Sequence, residues 1–221
     1  MSNKETMEIF AGTKSFSKVA EKNGFNVWTT DIQGNHNLLG NILDIGTQKI
    51  IIDYINTNKP LFVWLSPVCT GWSMSAGNTH WTAYRQPKTQ KALDSINMMM
   101  FCRLIADIQI KAKRYFIIEN PRARARWILD NQYRHTIWYC QYGDSRAKPT
   151  DIWTNLPNFV GKMCHNGNKD CQHEPAPRGS KTGTQGLKGN KERSVVPEQF
   201  CQYVCDLLNE MSKDEKIIKT K

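Results

Sequence analysis

The chain has 221 residues, a formal net charge of +10 and 39% hydrophobic residues, which suits one packed domain with at most a small appendage and excludes a wholly disordered chain. Charge of this sign favours an anionic partner, nucleic acid being the commonest, although a solvated lysine surface has the same composition. Seven cysteines without small-scaffold spacing, a start (MSNKETMEIF) lacking an apolar signal core, and no apolar run near the ~20 residues of a membrane span predict a cytoplasmic protein with reduced thiols and no membrane contact.

A strand is predicted over 6–10, turning through Ala11, Gly12 and Thr13 into a helix over 15–23 with Phe16, Val19 and Ala20 on one face and Gly24 as its stop. A second strand over 27–30 ends at Asp31, and 48–56 reads as a helix. The unbroken apolar run LFVWL at 61–65 is a buried strand. The loop over 66–87, rich in Ser, Gly, Thr, Trp and Asn, has the length of a functional segment. A long helix follows over 88–113, with Leu93, Ile96, Met100, Leu104 and Ile108 at helical spacing. Next come a buried strand over 115–118, a helix over 121–130 with Pro121 in its first turn, and a strand over 136–139. From 155 to 193 the pattern dissolves into Gly, Asn, Lys and Pro. An amphipathic helix over 197–211, carrying Phe200, Val204, Leu207 and Leu208, and a frayed tail end the chain.

Strands separated by helices imply an α/β, doubly wound, mostly parallel sheet. The expected organisation is a catalytic domain over 1–155, a small irregular basic insertion over 156–193, and a C-terminal helix over 194–221 that returns to the first unit. In such sheets ligands bind beyond the carboxyl ends of the strands. Gly12, Asp31, Cys69 and Glu119 all follow predicted strands. Gly12 lets backbone amides approach a ligand at a helix start, or serves only a tight turn. Asp31 accepts hydrogen bonds from ribose hydroxyls, or caps a helix. Asp44 bonds an exocyclic amine, or caps the helix that follows. Cys69, in Ser66-Pro67-Val68-Cys69-Thr70, is a candidate nucleophile with Glu119 as its acid partner. The alternatives are a buried structural thiol and a Glu119 neutralised by Arg122, Arg124 or Arg126. Trp72, His80 and Trp81 either stack on a displaced base or pack the loop.

Cys164, His165, Cys171 and His173 lie within ten positions. Such a group can bind zinc, with Cys164, Cys171 and His173 as ligands and Cys140, Cys201 or Cys205 completing the set. The other reading is a polar loop whose Lys162, Lys169, Arg178, Lys181, Lys188, Lys191 and Arg193 touch phosphate.

Taken together and in order, IFAGTKSFS, SPVCTGWS and IIENP resemble motifs of the DNA (cytosine-5) methyltransferase family, and QYGDSRAKPT and NKERSVVP resemble its later motifs. The resemblance is to a compact, phage-like member without a full target-recognition domain, and it covers nearly the whole chain outside about 155–190. It implies a Rossmann-like fold dependent on S-adenosyl-L-methionine (SAM). The implied SAM-binding residues are Phe10, Gly12, Thr13, Ser15, Phe16, Asp31, Ile32, Asp44, Ile45 and Pro67. It further implies that the Cys69 thiolate adds to carbon 6 of cytosine, that Glu119 holds the base, and that Arg146 is a basic site residue. The substrate base in DNA would be flipped from the helix. Three departures matter. Lys14 and Ser15 stand where glycines are expected, so Lys14 either points to solvent, meets the cofactor carboxylate or blocks SAM. Val68 replaces a proline, and the recognition region is short. The rivals are the same chemistry on RNA or a nucleotide, an altered donor, and a silent nucleic-acid-binding homologue.

Overall fold

The computed structural model describes residues 4–74, 77–165, 167–174 and 189–219. Elements run β1 (Glu5–Ile9), α1 (Ser15–Lys22), β2 (Asn26–Asp31), β3 (Leu38–Leu39), α2 (Ile45–Asn58), β4 (Phe62–Leu65), α3 (Gln90–Lys111), β5 (Tyr115–Pro121), β6 (Arg134–Trp138), β7 (Pro149–Thr154), α4 (Asn190–Ser194) and α5 (Glu198–Lys219). The strands form one sheet in the order β3-β2-β1-β4-β5-β7-β6. β7 runs antiparallel to both of its neighbours, while β1 to β5 pair parallel along the rest of the sheet. This is the doubly wound, Rossmann-like α/β fold anticipated from the alternation of strands and helices. Strand order reverses between β1 and β4, so the crevice at their carboxyl ends is where such a sheet takes ligands.

Two apolar clusters cover the two faces. Phe62 and Trp64 of β4 join Phe16, Phe200, Val204 and Leu208 on one face. Val63 and Leu65 join Met7, Ile9, Ile51, Met99, Cys102 and Ile105 on the other. Side chains alternate along a strand, so a strand covered on both faces must be apolar throughout, which is the origin of the LFVWL run. The C-terminal helix packs on α1 and fills the first cluster.

Three expectations change. The helix expected over 121–130 is absent: β5 continues through Pro121, pairing Asn120 with Asp151 and Pro121 with Thr150. Only one 3-10 turn, Arg124–Trp127, follows. The partner that extends β5 is β7, which sequence patterning does not reveal. Its Asp151 has no exposure, and a carboxylate mid-strand reads as a breaker. Here it is neutralised by the Arg126 guanidinium through two bonds of 2.6 Å and by the Thr136 hydroxyl at 2.8 Å. α2 begins three residues earlier than expected because the Asp44 side chain accepts from the Thr47 amide and caps it. Among the described residues no helix is long and apolar enough to cross a membrane.

Candidate active site

β4 and β5 are neighbours, with Leu65 opposite Ile118. Glu119 is the next residue of β5, and Cys69 lies four residues beyond β4. The loop carrying the half-buried Cys69 is held from several directions. The Trp72 and Ser73 amides both donate to the Cys69 carbonyl at 2.9 Å, closing a turn around it. Asn120 Nδ2 donates to the Pro67 carbonyl at 3.0 Å. Arg124 reaches across to the carbonyls of Ser73 (2.8 Å) and Gly77 (2.7 Å). Trp81 Nε1 donates to the Gly71 carbonyl at 2.6 Å. A Cβ at Gly71 would stand 2.1 Å from Ser95 Oγ on α3, so only glycine lets the loop lie this close.

Trp72 and Trp81 are fully buried and stacked, ring centroids 5.1 Å apart. His80 bonds Thr89, the N-cap of α3. Of the two roles open to these aromatics, the structure adopts packing: they weld the loop to the core.

Glu119 is buried, and the downstream arginines do not neutralise it. Arg124 is spent on loop carbonyls, Arg126 on Asp151, and Arg122 is exposed. Its partners are the Tyr139 hydroxyl, which donates at 2.8 Å, and the Lys148 ammonium at 4.0 Å. Lys148 also lies 4.5 Å from the Tyr139 ring centre. Burial pushes the Cys69 thiol above its ordinary pKa, the Lys148 charge pulls it down, and the Glu119 charge pushes it up. A resting thiol, a carboxylate and one ammonium thus share one electrostatic neighbourhood. Tyr139 stays a neutral donor, because burial and then the Glu119 charge hold its pKa well above the usual value.

Sequence reading missed Lys148 and Tyr139. Lys148 stands two positions after Arg146 in QYGDSRAKPT, and that doublet of basic residues was the available signal. Arg146 is drawn elsewhere. Its guanidinium chelates Asp144 and donates to the carbonyls of Glu192 (3.3 Å), Arg193 (3.3 Å) and Val195 (3.0 Å). That set engages all five of its donors. Arg146 therefore braces the 144–146 turn against the start of the C-terminal segment while its guanidinium also lies 5.5 Å from the Tyr139 ring centre, and Lys148, which donates to the Arg193 carbonyl at 3.4 Å as well, is the cation paired with Glu119.

The β1–β2 half of the crevice is shaped by backbone. Phe10, Gly12 and Lys14 all have positive φ (60°, 42° and 56°), and the non-glycine members each cost on the order of 1–3 kcal/mol. The reward is a tight turn in which the Gly12 amide donates to Asp31 Oδ2 at 2.9 Å. Asp31 Oδ1 accepts from the Ile32 amide at 2.8 Å. Ile32, next to Asp31, is 64% exposed, and Ile45, at the start of α2, is 82% exposed. Thr13 and Ser15 pair at 2.8 Å, and Ser15 Oγ accepts from the Val196 amide. Two expected cofactor residues have other work. Phe16 is fully buried, stacked on Trp64 at 5.0 Å, and belongs to the core. Asp44 spends its carboxylate on Thr47, whose amide and hydroxyl hold its pKa low. Pro67 is buried and bears on the site through its carbonyl.

Nothing in the pattern announced Glu8. It sits in β1 almost without exposure, accepting from the Phe16 and Ser17 amides (3.3 and 2.9 Å) and the Ser17 hydroxyl at the start of α1. Burial raises its pKa to about 7, against the hydrogen bonds from Ser17 and Phe16 and the Lys14 charge. Lys14 is half-buried.

Of the expected metal ligands, Cys164, Cys171 and His173 do come together, joined by Cys140. Cys201 and Cys205 lie in the core instead. Arg178, Lys181 and Lys188 fall outside the described residues.

No protein-family model matches the sequence, and no curated protein matches it. Solved structures of similar arrangement include the S. pombe Dnmt2 methyltransferase, at 12% identity over 72% of this chain and 51% of that one with a TM-score of 0.41. A triple mutant of Spodoptera frugiperda DNMT2 matches at 14% identity over 73% of this chain and 53% of that one, with a TM-score of 0.40. The chain spans about half the length of the solved structures it matches.

Proposed function

We propose that the chain transfers a methyl group from SAM to carbon 5 of cytosine in DNA through a covalent bond to Cys69. One observation carries this reading: beyond the carboxyl ends of β4 and β5, a thiol, a buried carboxylate and an ammonium come together although they belong to three separate segments. Carbon 5 of cytosine is a weak nucleophile. Once the thiol has given up its proton, addition of the thiolate at carbon 6 makes carbon 5 enamine-like; carbon 5 would then take the methyl group as the donor's sulfonium leaves as a neutral thioether, and loss of the carbon-5 proton to solvent with elimination of the sulfur returns the thiolate. Cys69 is the adding group. Glu119, held by Tyr139, would accept from the exocyclic amine and, carrying a proton, donate it to N3, which draws electrons from carbon 6. Lys148 offsets the negative charge that develops on Cys69 and Glu119 together.

SAM, when bound, supplies an electrophilic methyl group. The residues that would hold it are the Gly12 turn, Asp31 with accepting capacity left on its carboxylate, and the exposed apolar Ile32 and Ile45 as walls for a flat ring. Lys14, at the start of α1, suits the donor's carboxylate. The net charge suits a nucleic-acid substrate, as does a shallow open cleft beside the loop, lined by Met74, Arg122, Ala123, Arg124, Arg126 and Trp127. Arg85 stands over the Trp127 ring at its rim.

Mass spectrometry of nucleosides from DNA and RNA of expressing cells tests the reading. 5-methylcytosine in DNA supports it, the same mark in RNA alone overturns the substrate, and no mark with no SAM binding overturns the activity.

A further inference from the structure

We propose that Cys140, Cys164, Cys171 and His173 form a structural zinc site that fastens the basic insertion to the wall of the crevice. The four donor atoms all lie within 4.8 Å of one another. Cys164 Sγ stands 3.8 Å from His173 Nδ1. A tetrahedral zinc with Zn–S about 2.3 Å and Zn–N about 2.0–2.1 Å requires edges of roughly 3.6–3.8 Å, so the cluster closes on the ion with small movements. Three thiols and an imidazole are a structural rather than catalytic set, with no position left for water.

Two further observations point the same way. The sulfurs are provided with N–H donors: Asn168 Nδ2 lies 3.4 Å from Cys164 Sγ, and Gln141 Nε2 lies 3.4 Å from Cys171 Sγ. Such donors orient and stabilise zinc-bound thiolates. The second observation is a shortage of core. Beyond Phe159, which still joins the core, none of the described residues 160–174 is buried, and Val160 and Met163 are 69% and 55% exposed. A segment burying so little apolar surface needs another source of order, which metal ligation supplies. On binding, zinc displaces the three thiol protons to solvent and takes the imidazole neutral, so no oxidant is involved.

The location gives the site its consequence. Cys140 follows Tyr139, whose hydroxyl holds Glu119, in a single 3-10 turn, Tyr139–Tyr142. The insertion docks on this turn through the Trp138 amide to the Lys162 carbonyl (3.0 Å) and the Lys162 amide to the Tyr142 hydroxyl (3.2 Å). It returns through the Glu174 amide to the Ser145 carbonyl (2.9 Å). The metal would tie both ends of this docking together.

Elemental analysis of full-length protein purified without a histidine tag tests the site. About one zinc per chain is expected, retained in Cys69→Ser and lost in Cys140→Ser and in Cys171→Ser. Those variants risk misfolding, so wild-type protein carries a second measurement. A chelator should release the zinc, expose three further thiols to a thiol reagent and lower the melting temperature. Cobalt(II) restored to the chelated protein should give the intense visible bands of a tetrahedral thiolate site. Substoichiometric zinc, iron in its place, a disulfide within the cluster, or full zinc in Cys140→Ser overturns the proposal. Each of these leaves methyl transfer at Cys69 untouched.

Discussion

The two halves of the crevice are built by opposite means. On the β4–β5 side the loop holding Cys69 is tied by side chains that reach it from far along the chain: Asn120 to Pro67, Arg124 to Ser73 and Gly77, and Lys148 beside Glu119. On the β1–β2 side the turn is made by backbone torsions at Phe10, Gly12 and Lys14, with Asp31 as its main tie. The difference suits the tasks proposed for the two halves. A covalent step needs several charged groups held at fixed separations, and only long-range contacts can fix them. Holding a flat, polar ligand needs an open turn with amides and an acceptor, which local geometry provides.

The largest effect should come from the covalent half. Cys69→Ser should reduce methyl transfer by on the order of 10⁴-fold or more while leaving fold and SAM binding intact, because a hydroxyl near neutral pH is a far weaker nucleophile. With DNA carrying 5-fluorocytosine, wild-type protein and SAM should form an adduct stable to denaturing electrophoresis; an adduct that persists in the serine variant would place the nucleophile elsewhere. Glu119→Gln should split two readouts. Turnover should fall by roughly 10²–10⁴-fold. Alkylation of Cys69 by iodoacetamide should instead become faster near neutral pH, since a charge that raises the thiol pKa is gone. Slower alkylation in Glu119→Gln would deny the electrostatic coupling of the two groups.

This contrast was only half legible in the amino-acid sequence. Cys69 and Glu119 stand out in the sequence because each comes after an unbroken apolar run, the mark of a strand buried on both faces, although β5 continues past Glu119 to Pro121. The open Gly12 turn and Asp31 were legible because their geometry is local. Lys148 and Tyr139 were not, since what makes them site residues is contact with Glu119, 29 and 20 positions away. Arg146 was pointed to by the resemblance of QYGDSRAKPT to a family motif, yet its donors go to Asp144 and the chain near 192–195. β7 stayed hidden behind Asp151, whose charge is cancelled only by tertiary partners. Phe16 looked like a cofactor residue by position, but the helical face it shares with Val19 and Ala20 is the core face.

Arg124→Met comes next. It keeps the bulk of the side chain and removes the donors to Ser73 and Gly77. Two carbonyls left without their partner should cost about 2–4 kcal/mol of stability, at about 1–3 kcal/mol each with partial rescue by water. Turnover should fall while SAM affinity holds, because the donor half does not depend on this loop. Equal loss of SAM affinity, measured by calorimetry, would mean that the halves are not independent.

Glu8→Gln should reveal a buried titratable group on the β1–β2 side. Its folded pKa of about 7 lies above the ordinary 4.5. The folded state therefore binds more protons between these values, and stability falls as pH rises through that window. The loss is complete above about 7 and amounts to roughly 3 kcal/mol. Gln can still accept from an α1 amide but cannot ionise. The variant should match wild type in urea unfolding below pH 4.5 and be more stable at pH 8, by up to about 3 kcal/mol. A wild-type curve that is flat between these pH values would remove Glu8 from the account.

The smallest effect sharpens the comparison most. Asp31→Ala removes the carboxylate that accepts from the Gly12 and Ile32 amides. Both amides lie at the open crevice and can turn to water, so the fold should lose little. SAM binding should weaken by about 1.5 kcal/mol, near tenfold, the typical value of a hydrogen bond to a charged group. Asp31→Asn separates the two contributions. Its amide oxygen can still accept from Gly12 and hold the turn, but it is a poorer acceptor for a ligand hydroxyl because it carries no charge. If Asn behaves as Asp, the residue acts through the turn alone. If Asn behaves as Ala, the charge meets the ligand directly. If neither variant changes SAM affinity, the donor lies elsewhere, and Lys14, with its positive φ at the head of α1, becomes the residue to change. In every outcome the rate of Cys69 alkylation should stay at the wild-type value, because Asp31 is not among the charges that shift that thiol.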